Sequence, residues 1–474
     1  MFVVEAAATL QGADGRVWSG SEITVACERQ QAQWEGLAAD EVIGLVGDNS
    51  PEWVISDWAA LQAGRAVVPI PGFFTTEQIQ HVCRQARIRH VVHQGRLLSV
   101  QSVYPSVVNF EEDAPPYLPA DTQKITFTSG TTGQPKGICL TAQQQLATAQ
   151  ALQTVLGNLE IRTHLNMLPL AVLLENIAGV YVPWALGARV ISLPLAQVGL
   201  SGSSQFDPLR CIAAIARHQA ESVILLPQML QAIVAVLERQ PQLLADLKTL
   251  KCVAVGGGVT PLACLKSAQD MGLAVFEGYG LSECASVVSL NTPQAQCLGS
   301  VGQPLPGLKV ELADDGEIVV WGRSYAGVLG QTEHRTDKNA GLHTGDIGEF
   351  RTERGQRFLH ITGRKKNILI TAFGRNVSPE WPERLLLDEG LLAQAVVLGE
   401  GKPALSAVLV RLHTGVTDTD IAQLVARVNA GLPDYARIAT WTVVNEAFSV
   451  VNGLATPNGR PLRAAIEQKY SFEN

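Results

Sequence analysis

The sequence predicts an α/β protein: a large N-terminal domain of mostly parallel, helix-covered sheets, followed by a small α+β C-terminal domain. Short β-branched runs alternate with helical segments over residues 41–276, and this sequence pattern changes after about residue 362. Alternating strands and helices form parallel sheets that are covered by helices. The chain has 474 residues, of which 46% are hydrophobic and 17% charged. This composition is that of a globular protein and excludes a disordered, collagen-like or coiled-coil chain.

The elements of the large domain are predicted from apolar runs and from the residues that begin and end helices. A turn at 47–51 precedes the first of these helices, and Gly64 ends it. The apolar stretch 167–200 is broken by Glu175, Asn176 and Arg189, so we expect buried strands and a core helix there, and no membrane span. In chain order, the predicted elements are the strands 42–46, 66–70, 90–92, 124–127, 222–226 and 274–276 and the helices 52–63, 75–87, 208–219 and 261–271.

The C-terminal part is predicted to be a separate, smaller unit. Strands are expected at 393–398, 404–410 and 439–444, with a helix at 419–430. A basic run at 363–367 follows a predicted strand at 357–361. We therefore predict two domains, 1–363 and 364–474, joined by a hinge near Asn367.

Charge and cysteine content exclude several classes of protein. The net charge of −8 argues against bulk binding of nucleic acid or of an anionic membrane, but it allows a local basic pocket. The eight cysteines form no C-x-x-C pair and no zinc-ligand spacing, and the first ten residues show no basic n-region of a signal peptide. We expect a reduced, cytoplasmic protein with no membrane span.

The strongest local signal is the loop after the predicted strand 124–127. Residues 126–137 read TFTSGTTGQPKG. Glycines let backbone N–H groups approach an anion, hydroxyls add donors and Lys136 adds a cation, which together make a phosphate cradle. The alternative to a phosphate-binding loop is an ordinary turn rich in Gly and Thr. Pro135 and Gly137 exclude a Walker A loop, and the glycines at 256–258 and 278–280 fail the Rossmann spacing.

Three further stretches accompany this loop. They read GYGLSE at 278–283, HTGD at 343–346 and GRKKN at 363–367. In this order and at these separations, the four motifs resemble the adenylate-forming superfamily, which includes acyl-CoA synthetases, firefly luciferase and nonribosomal peptide synthetase adenylation domains. The resemblance extends from about residue 41 to 463 and is nearest to the fatty acyl-CoA synthetase branch.

The resemblance implies a role for each motif residue. Glu283 would ligate Mg²⁺, Tyr279 would lie against adenine, Ser282 would bond the α-phosphate, and Asp346 and Arg364 would hold the ribose. The residues implied to hold the β- and γ-phosphates of ATP are Thr128, Ser129, Gly130, Thr131, Thr132, Gly133 and Lys136. The glycines implied to line the base and acyl pocket are Gly256, Gly257 and Gly258, and Gly278 and Gly280 are implied to be cofactor-binding residues.

Two features of the C-terminal domain follow from the same resemblance. Asn367 occupies the hinge position about which the small domain is expected to move between two poses. Arg460 occupies the position of a catalytic lysine that bridges the carboxylate and the ATP phosphates. Arginine keeps the charge, but its flat five-donor fork replaces a compact cation.

The implied activity is that of an AMP-forming acid–thiol ligase. Residues 168–176 and 376–380 resemble the fatty-acid branch, although Val172 replaces a frequent histidine. A fatty acid or another apolar carboxylic acid is therefore the expected small-molecule substrate. Coenzyme A is the expected acceptor, and the phosphopantetheine thiol of a carrier protein is the alternative. A luciferase-like or β-lactone-forming enzyme and a nucleotide-binding pseudoenzyme stay open.

Overall fold

The structure is a computed structural model that describes residues 7–107, 117–128, 135–202, 205–323, 325–331, 340–373, 375–456 and 459–470. Its helices are α1 (Gly20–Ala32), α2 (Pro51–Ala63), α3 (Thr76–Gln85), α4 (Val100–Val103), α5 (Ala142–Leu156), α6 (Leu173–Asn176), α7 (Val182–Ala185), α8 (Pro208–His218), α9 (Pro227–Arg239), α10 (Leu262–Asp270), α11 (Glu380–Leu387), α12 (Asp418–Ala430) and α13 (Arg463–Lys469). A π-helical turn, Ile177–Tyr181, joins α6 to α7.

The strands form two large sheets and several small ones. They are β1 (Thr9–Gln11), β2 (Val17–Trp18), β3 (Ile43–Val46), β4 (Val67–Pro69), β5 (His90–His93), β6 (Arg96–Ser99), β7 (Thr122–Thr128), β8 (Lys136–Thr141), β9 (Thr163–Leu165), β10 (Arg189–Ile191), β11 (Leu200–Ser201), β12 (Gln205–Phe206), β13 (Ser222–Leu225), β14 (Cys252–Val255), β15 (Val275–Tyr279), β16 (Ser289–Leu290), β17 (Gln303–Pro304), β18 (Lys309–Leu312), β19 (Glu317–Trp321), β20 (Gly327–Val328), β21 (Leu342–Glu353), β22 (Gln356–Arg364), β23 (Leu369–Ile370), β24 (Asn376–Val377), β25 (Leu392–Leu398), β26 (Leu405–Arg411) and β27 (Ile438–Val444).

The two large sheets are mixed, with parallel centres. One has the order β17-β16-β15-β14-β13-β9-β10-β1-β2, in which the strands from β15 to β1 are parallel to one another. The other has the order β20-β8-β7-β4-β3-β5-β6, and β7, β4, β3 and β5 are parallel. The sheet β18-β19-β21-β22 is antiparallel. This architecture confirms the predicted α/β class.

Local signals explain why the predicted elements form where they do. The Ser50 hydroxyl accepts a hydrogen bond from the Trp53 amide at 3.2 Å, Pro51 begins α2, and Gly64 ends it with a left-handed φ of 68°. One predicted strand ended too early. We expected 357–361, but β22 continues to Arg364, because Asp346 pairs with Arg364 at the end of the β21–β22 ladder.

The segment β25-β26-β27 has its own hydrophobic core with α11 and α12. It contacts the rest of the chain through α11 and the residue after it. Asp388 accepts a hydrogen bond from the Leu262 amide at 2.8 Å, and Arg384 donates to the Gly299 carbonyl at 3.4 Å. The boundary between residues 363 and 364 stays a prediction.

Glu277 is a buried carboxyl on β15 at this contact. Burial raises its pKa to about 7, against the lowering effects of a Thr260 hydrogen bond and of Arg384. The folded state therefore holds this proton more tightly than the unfolded chain, whose carboxyl has a pKa near 4.5. The stability this proton contributes is complete below pH 4.5 and is lost as the pH rises through 7.

We expect Glu277→Gln, which mimics the protonated form, to unfold at higher denaturant concentration than the wild type at pH 8. The gain is at most about 3 kcal/mol, since one pKa unit corresponds to about 1.4 kcal/mol. The difference should shrink toward zero at pH 4.5. The exposed Glu238→Gln on α9 is the control, and a Glu277→Gln gain that is independent of pH would contradict the assignment.

All eight cysteines are unpaired. Burial raises the pKa of Cys252 and of Cys284 to about 12, so both thiols stay protonated and pack as small apolar groups. Among the helices of the described residues, none has both the length and the apolar composition needed to cross a membrane.

Candidate active site

A cavity of about 840 Å³ lies where the carboxyl ends of β14 and β15 meet the C-terminal part of the chain. Lys136 on β8, Glu283 after β15 and Arg460 near the C-terminus all line it. Ligands of open α/β sheets bind outside the carboxyl ends of parallel strands. The cavity is therefore the candidate site.

Five cations line this cavity: Lys136, Arg364, Lys365, Lys366 and Arg460. Burial and then the like charges of Arg364 and Arg460 lower the pKa of Lys366, and burial and then Arg364 lower the pKa of Arg460. These mutual effects show that Arg364, Lys366 and Arg460 lie close together. Convergent positive charge of this kind binds an anion with several oxygens, such as a polyphosphate.

Lys365 also lines the cavity, but its ammonium is paired with two carboxylates. Its ammonium lies 2.6 Å from Asp315 Oδ2 and 2.8 Å from Glu317 Oε2. Glu317 also accepts the Gly345 amide at 2.9 Å, which anchors the residue before Asp346 on β21. The charge of Lys365 is therefore balanced by Asp315 and Glu317, although Lys365 and Lys366 both line the cavity.

Asp346 is buried, and both of its carboxylate oxygens are engaged. Oδ2 accepts the Tyr279 hydroxyl at 2.8 Å, and Oδ1 accepts Arg364 Nε at 2.6 Å. Burial and the nearby Asp346 charge raise the pKa of Tyr279, which stays a neutral donor. A carboxylate oxygen can accept more than one hydrogen bond. Asp346 is not itself among the residues that line the cavity, whereas its partners Tyr279 and Arg364 are.

Glu283 is half-buried and is the acid that the cavity places beside the cations. Burial raises its pKa, Arg364 lowers it and the Asp346 charge raises it further. No group of three His, Cys, Asp or Glu side chains converges in the part of the chain that the structure describes. A single carboxylate fits Mg²⁺, which usually takes one or two carboxylates together with substrate phosphates and waters.

The glycines of the site keep its backbone segments close together. A Cβ on Gly280 would lie 1.5 Å from the Ser286 carbonyl oxygen, and one on Gly278 would lie 3.0 Å from the Ser289 carbonyl oxygen. Gly256 and Gly257 line the cavity together with these two. Gly258 is exposed and is not among the lining residues, so the structure gives it no direct place in the site.

The rest of the cavity is an apolar arm along the face of the large sheet. Cys252, Ala254 and Gly256 are alternate residues of β14 and the turn after it, so their side chains share one face. These small residues leave the space that Leu152 and Leu156 of α5 close from the other side. The arm suits an apolar group of a substrate.

The structure thus brings together most of the predicted site residues. Thr128 and Ser282 also line the cavity, whereas Ser129, Gly130, Thr131, Thr132 and Gly133 lie outside the described residues. Sequence reasoning missed Lys365, Lys366 and Thr344 as lining residues. The basic run at 363–367 did signal Lys366, but nothing in the run separates it from Lys365.

Two family profiles match the chain in succession. The profile of the AMP-binding enzymes matches residues 33–329, and that of the AMP-binding enzyme C-terminal domain matches residues 366–473. The chain belongs to the AMP-binding enzyme family. This finding confirms the resemblance to adenylate-forming enzymes and the prediction of an AMP-forming ligase.

Curated relatives include ligases for different acids. The long-chain-fatty-acid–CoA ligase FadD15 of Mycobacterium bovis is 26% identical over 79% of this chain and 73% of its own length. The 2-succinylbenzoate–CoA ligase of Bacillus pumilus is 28% identical over 77% of this chain and 76% of its own length. These relatives do not agree on one acid.

Solved structures share the fold at low identity. The anthranilate CoA ligase AuaEII in complex with anthranoyl-AMP has a TM-score of 0.79 at 20% identity, over 97% of this chain and 93% of its own. The O-succinylbenzoate coenzyme A synthetase MenE of Bacillus subtilis, in complex with ATP and magnesium ion, has a TM-score of 0.75 at 22% identity, over 97% and 96% of the two chains.

Proposed function

We propose that this chain is an acid–thiol ligase that adenylates an apolar carboxylic acid with Mg·ATP and transfers the acyl group to coenzyme A. The observation that carries the proposal is a single cavity in which a cluster of cations and Glu283 opens into an apolar arm. A polyphosphate and an apolar acid held in one cavity can react with each other. The two curated relatives described above, both CoA ligases, support the same interpretation.

In the first half-reaction, an oxygen of the acid attacks the α-phosphorus of ATP. The new oxygen–phosphorus bond replaces the bond to the β-phosphate, and pyrophosphate leaves. Lys136 and Arg460 stabilise the charge of the phosphates, and Asp346 accepts the ribose hydroxyls. The protein positions the reactants and stabilises charge, and forms no covalent intermediate.

Glu283 would hold the Mg²⁺, which neutralises phosphate charge when bound. Ser282 would donate its hydroxyl to the α-phosphate, and Tyr279 would pack its ring against adenine. The loop 129–133, which lies outside the described residues, would complete the phosphate cradle through its amides and hydroxyls.

In the second half-reaction, the thiol sulfur attacks the acyl carbon, and AMP leaves with the electron pair of the broken carbon–oxygen bond. The small domain, residues 364–474, would change its pose about Asn367 between the two steps. In this structure Asn367 donates to Glu380 Oε1 at 2.5 Å, and Arg460 lines the cavity. We infer that this pose serves adenylation.

An apolar acid, and a fatty acid in particular, is the proposed substrate. The apolar arm supports it, because leucine and other aliphatic side chains form most of its wall. The relatives include both fatty-acid and succinylbenzoate ligases. Experiments therefore have to determine the length of the acid and whether it contains a ring.

Pyrophosphate release from Mg·ATP tests the proposal over a panel of acids from acetate through fatty acids to benzoates, with and without coenzyme A. We expect release that depends on an apolar acid and that rises when coenzyme A is added. Release without stimulation by coenzyme A would favour a carrier-protein thiol or a product without thiol. Silence across the panel would refute the ligase and favour a nucleotide-binding protein without this activity.

A further inference from the structure

A cluster of hydrogen-bonded polar side chains lies at the wall of the apolar arm. His164 on β9 and Ser222 on β13 both line the cavity, and His164 Nδ1 lies 2.8 Å from the Ser222 hydroxyl oxygen. His164 Nε2 lies 3.3 Å from Oε1 of Glu175, which is fully buried. We propose that this Ser222–His164–Glu175 group, the polar anchor, binds a hydroxyl group on the body of the substrate acid. The inference rests on the proposed ligase function and specifies its substrate class.

The polar anchor is held in place by its surroundings. Glu175 Oε1 accepts Asn166 Nδ2 at 2.8 Å, and Glu175 Oε2 accepts the Leu168 amide at 3.2 Å. A Cβ on Gly179, in the π-helical turn, would lie 2.5 Å from Glu175 Oε1 and 2.9 Å from His164 Nε2. Only glycine at position 179 leaves room for the side chains of Glu175 and His164 to meet. π-helical turns of this kind are frequent at functional sites.

The hydrogen-bond chemistry of the polar anchor selects a hydroxyl. His164 Nε2 lies within hydrogen-bond distance of Glu175 Oε1, and when Nε2 is the donor, the other ring nitrogen, Nδ1, is an acceptor. His164 Nδ1 can then accept the Ser222 hydroxyl hydrogen, and the Ser222 oxygen can accept a hydrogen bond from a ligand. When His164 Nδ1 is the donor, the Ser222 hydroxyl can instead donate to a ligand. A hydroxyl group answers both states, because it both donates and accepts.

Charged groups fit this place poorly. A substrate carboxylate or ammonium at this place would have to leave water for an apolar arm. Either transfer carries the free-energy cost of burying a charge. A neutral hydroxyl group carries no charge to bury, and it can form a hydrogen bond with Ser222.

The strand register gives the distance from the polar anchor to the reacting end. Ser222 pairs with both His164 and Cys252, and Cys252 lies four residues before Gly256 on the same strand line. At about 3.3 Å per residue, the polar anchor is about 13 Å from the level of Gly256 and Gly278. The proposed substrate is therefore a hydroxylated fatty acid, with its hydroxyl well along the chain from the carboxylate.

Competition between matched acids tests the proposal. Adenylation is measured by pyrophosphate release for unsubstituted fatty acids and for ω-hydroxy acids of eight to fourteen carbons, and binding of the acids alone is measured by titration calorimetry. We expect one ω-hydroxy length to exceed its unsubstituted counterpart about 3- to 10-fold in kcat/KM, the range of one net hydrogen bond. In Ser222→Ala this ratio should fall to about 1.

Ser192→Ala is the matched control, because Ser192 is a fully buried serine outside the residues that line the cavity. It should keep the wild-type ratio. A wild-type ratio near 1 at every length, or a preference that persists in Ser222→Ala, would overturn the polar anchor while unsubstituted acids are still adenylated. If no acid of either series releases pyrophosphate, the ligase proposal itself fails.

Discussion

Glu283→Gln is expected to lower the rate of Mg²⁺-dependent adenylation about 10²- to 10³-fold, the loss typical of one electrostatic group aimed at a transition state. Glutamine keeps the size of the side chain but removes the carboxylate that fits the metal beside the phosphates. ATP binding should persist, because Lys136, Arg364, Lys366 and Arg460 stay in place. The measurement is pyrophosphate release at saturating acid, with nucleotide binding followed separately by calorimetry.

The dependence of the Glu283→Gln activity on Mg²⁺ concentration provides a second test. Raising the Mg²⁺ concentration should restore part of the Glu283→Gln activity if the residue binds the metal, whereas a general folding defect would not respond. Glu353→Gln, at the exposed end of β21, is the control and should behave as the wild type. Unchanged turnover of Glu283→Gln would remove Glu283 from the metal site.

Arg460→Ala is expected to reduce adenylation by a similar factor, about 10²- to 10³-fold. The side chain lines the cavity beside Arg364, and the pKa of Arg460 is lowered by burial and by that like charge. Because the proposed role belongs to the adenylating pose, the reaction of a supplied acyl-adenylate with coenzyme A should change much less. The two half-reactions are measured separately.

Arg460→Lys distinguishes charge from shape. If Arg460 contacts the phosphates, the lysine variant should preserve or raise the adenylation rate, since a compact cation replaces the planar fork. Arg239→Ala at the exposed end of α9 is the control for loss of a surface charge. Equal losses of both half-reactions in Arg460→Ala would argue against a role confined to adenylation.

Much of the fold was predictable because its signals are local. The cap at Ser50, the proline at the start of α2 and the left-handed Gly64 lie within a few residues of the helix that they delimit. The site motifs were predictable for a related reason. At position 280 a Cβ would overlap the Ser286 carbonyl, so the backbone there requires glycine. Such a glycine can be recognised in the sequence as part of a motif.

The sequence by itself determined the α/β class, ten of the elements of the large domain and the motif residues of the candidate site, whereas α5, α9 and β14 were not predicted. The tertiary structure decided which side chains meet. It paired Lys365 with Asp315 and Glu317, and it placed Lys366 near Arg364 and Arg460. It also joined Ser222 to His164 and Glu175. These outcomes depend on strand register and on the packing of distant segments. A local pattern carries no record of either, because contacts between distant residues arise only when the whole chain folds.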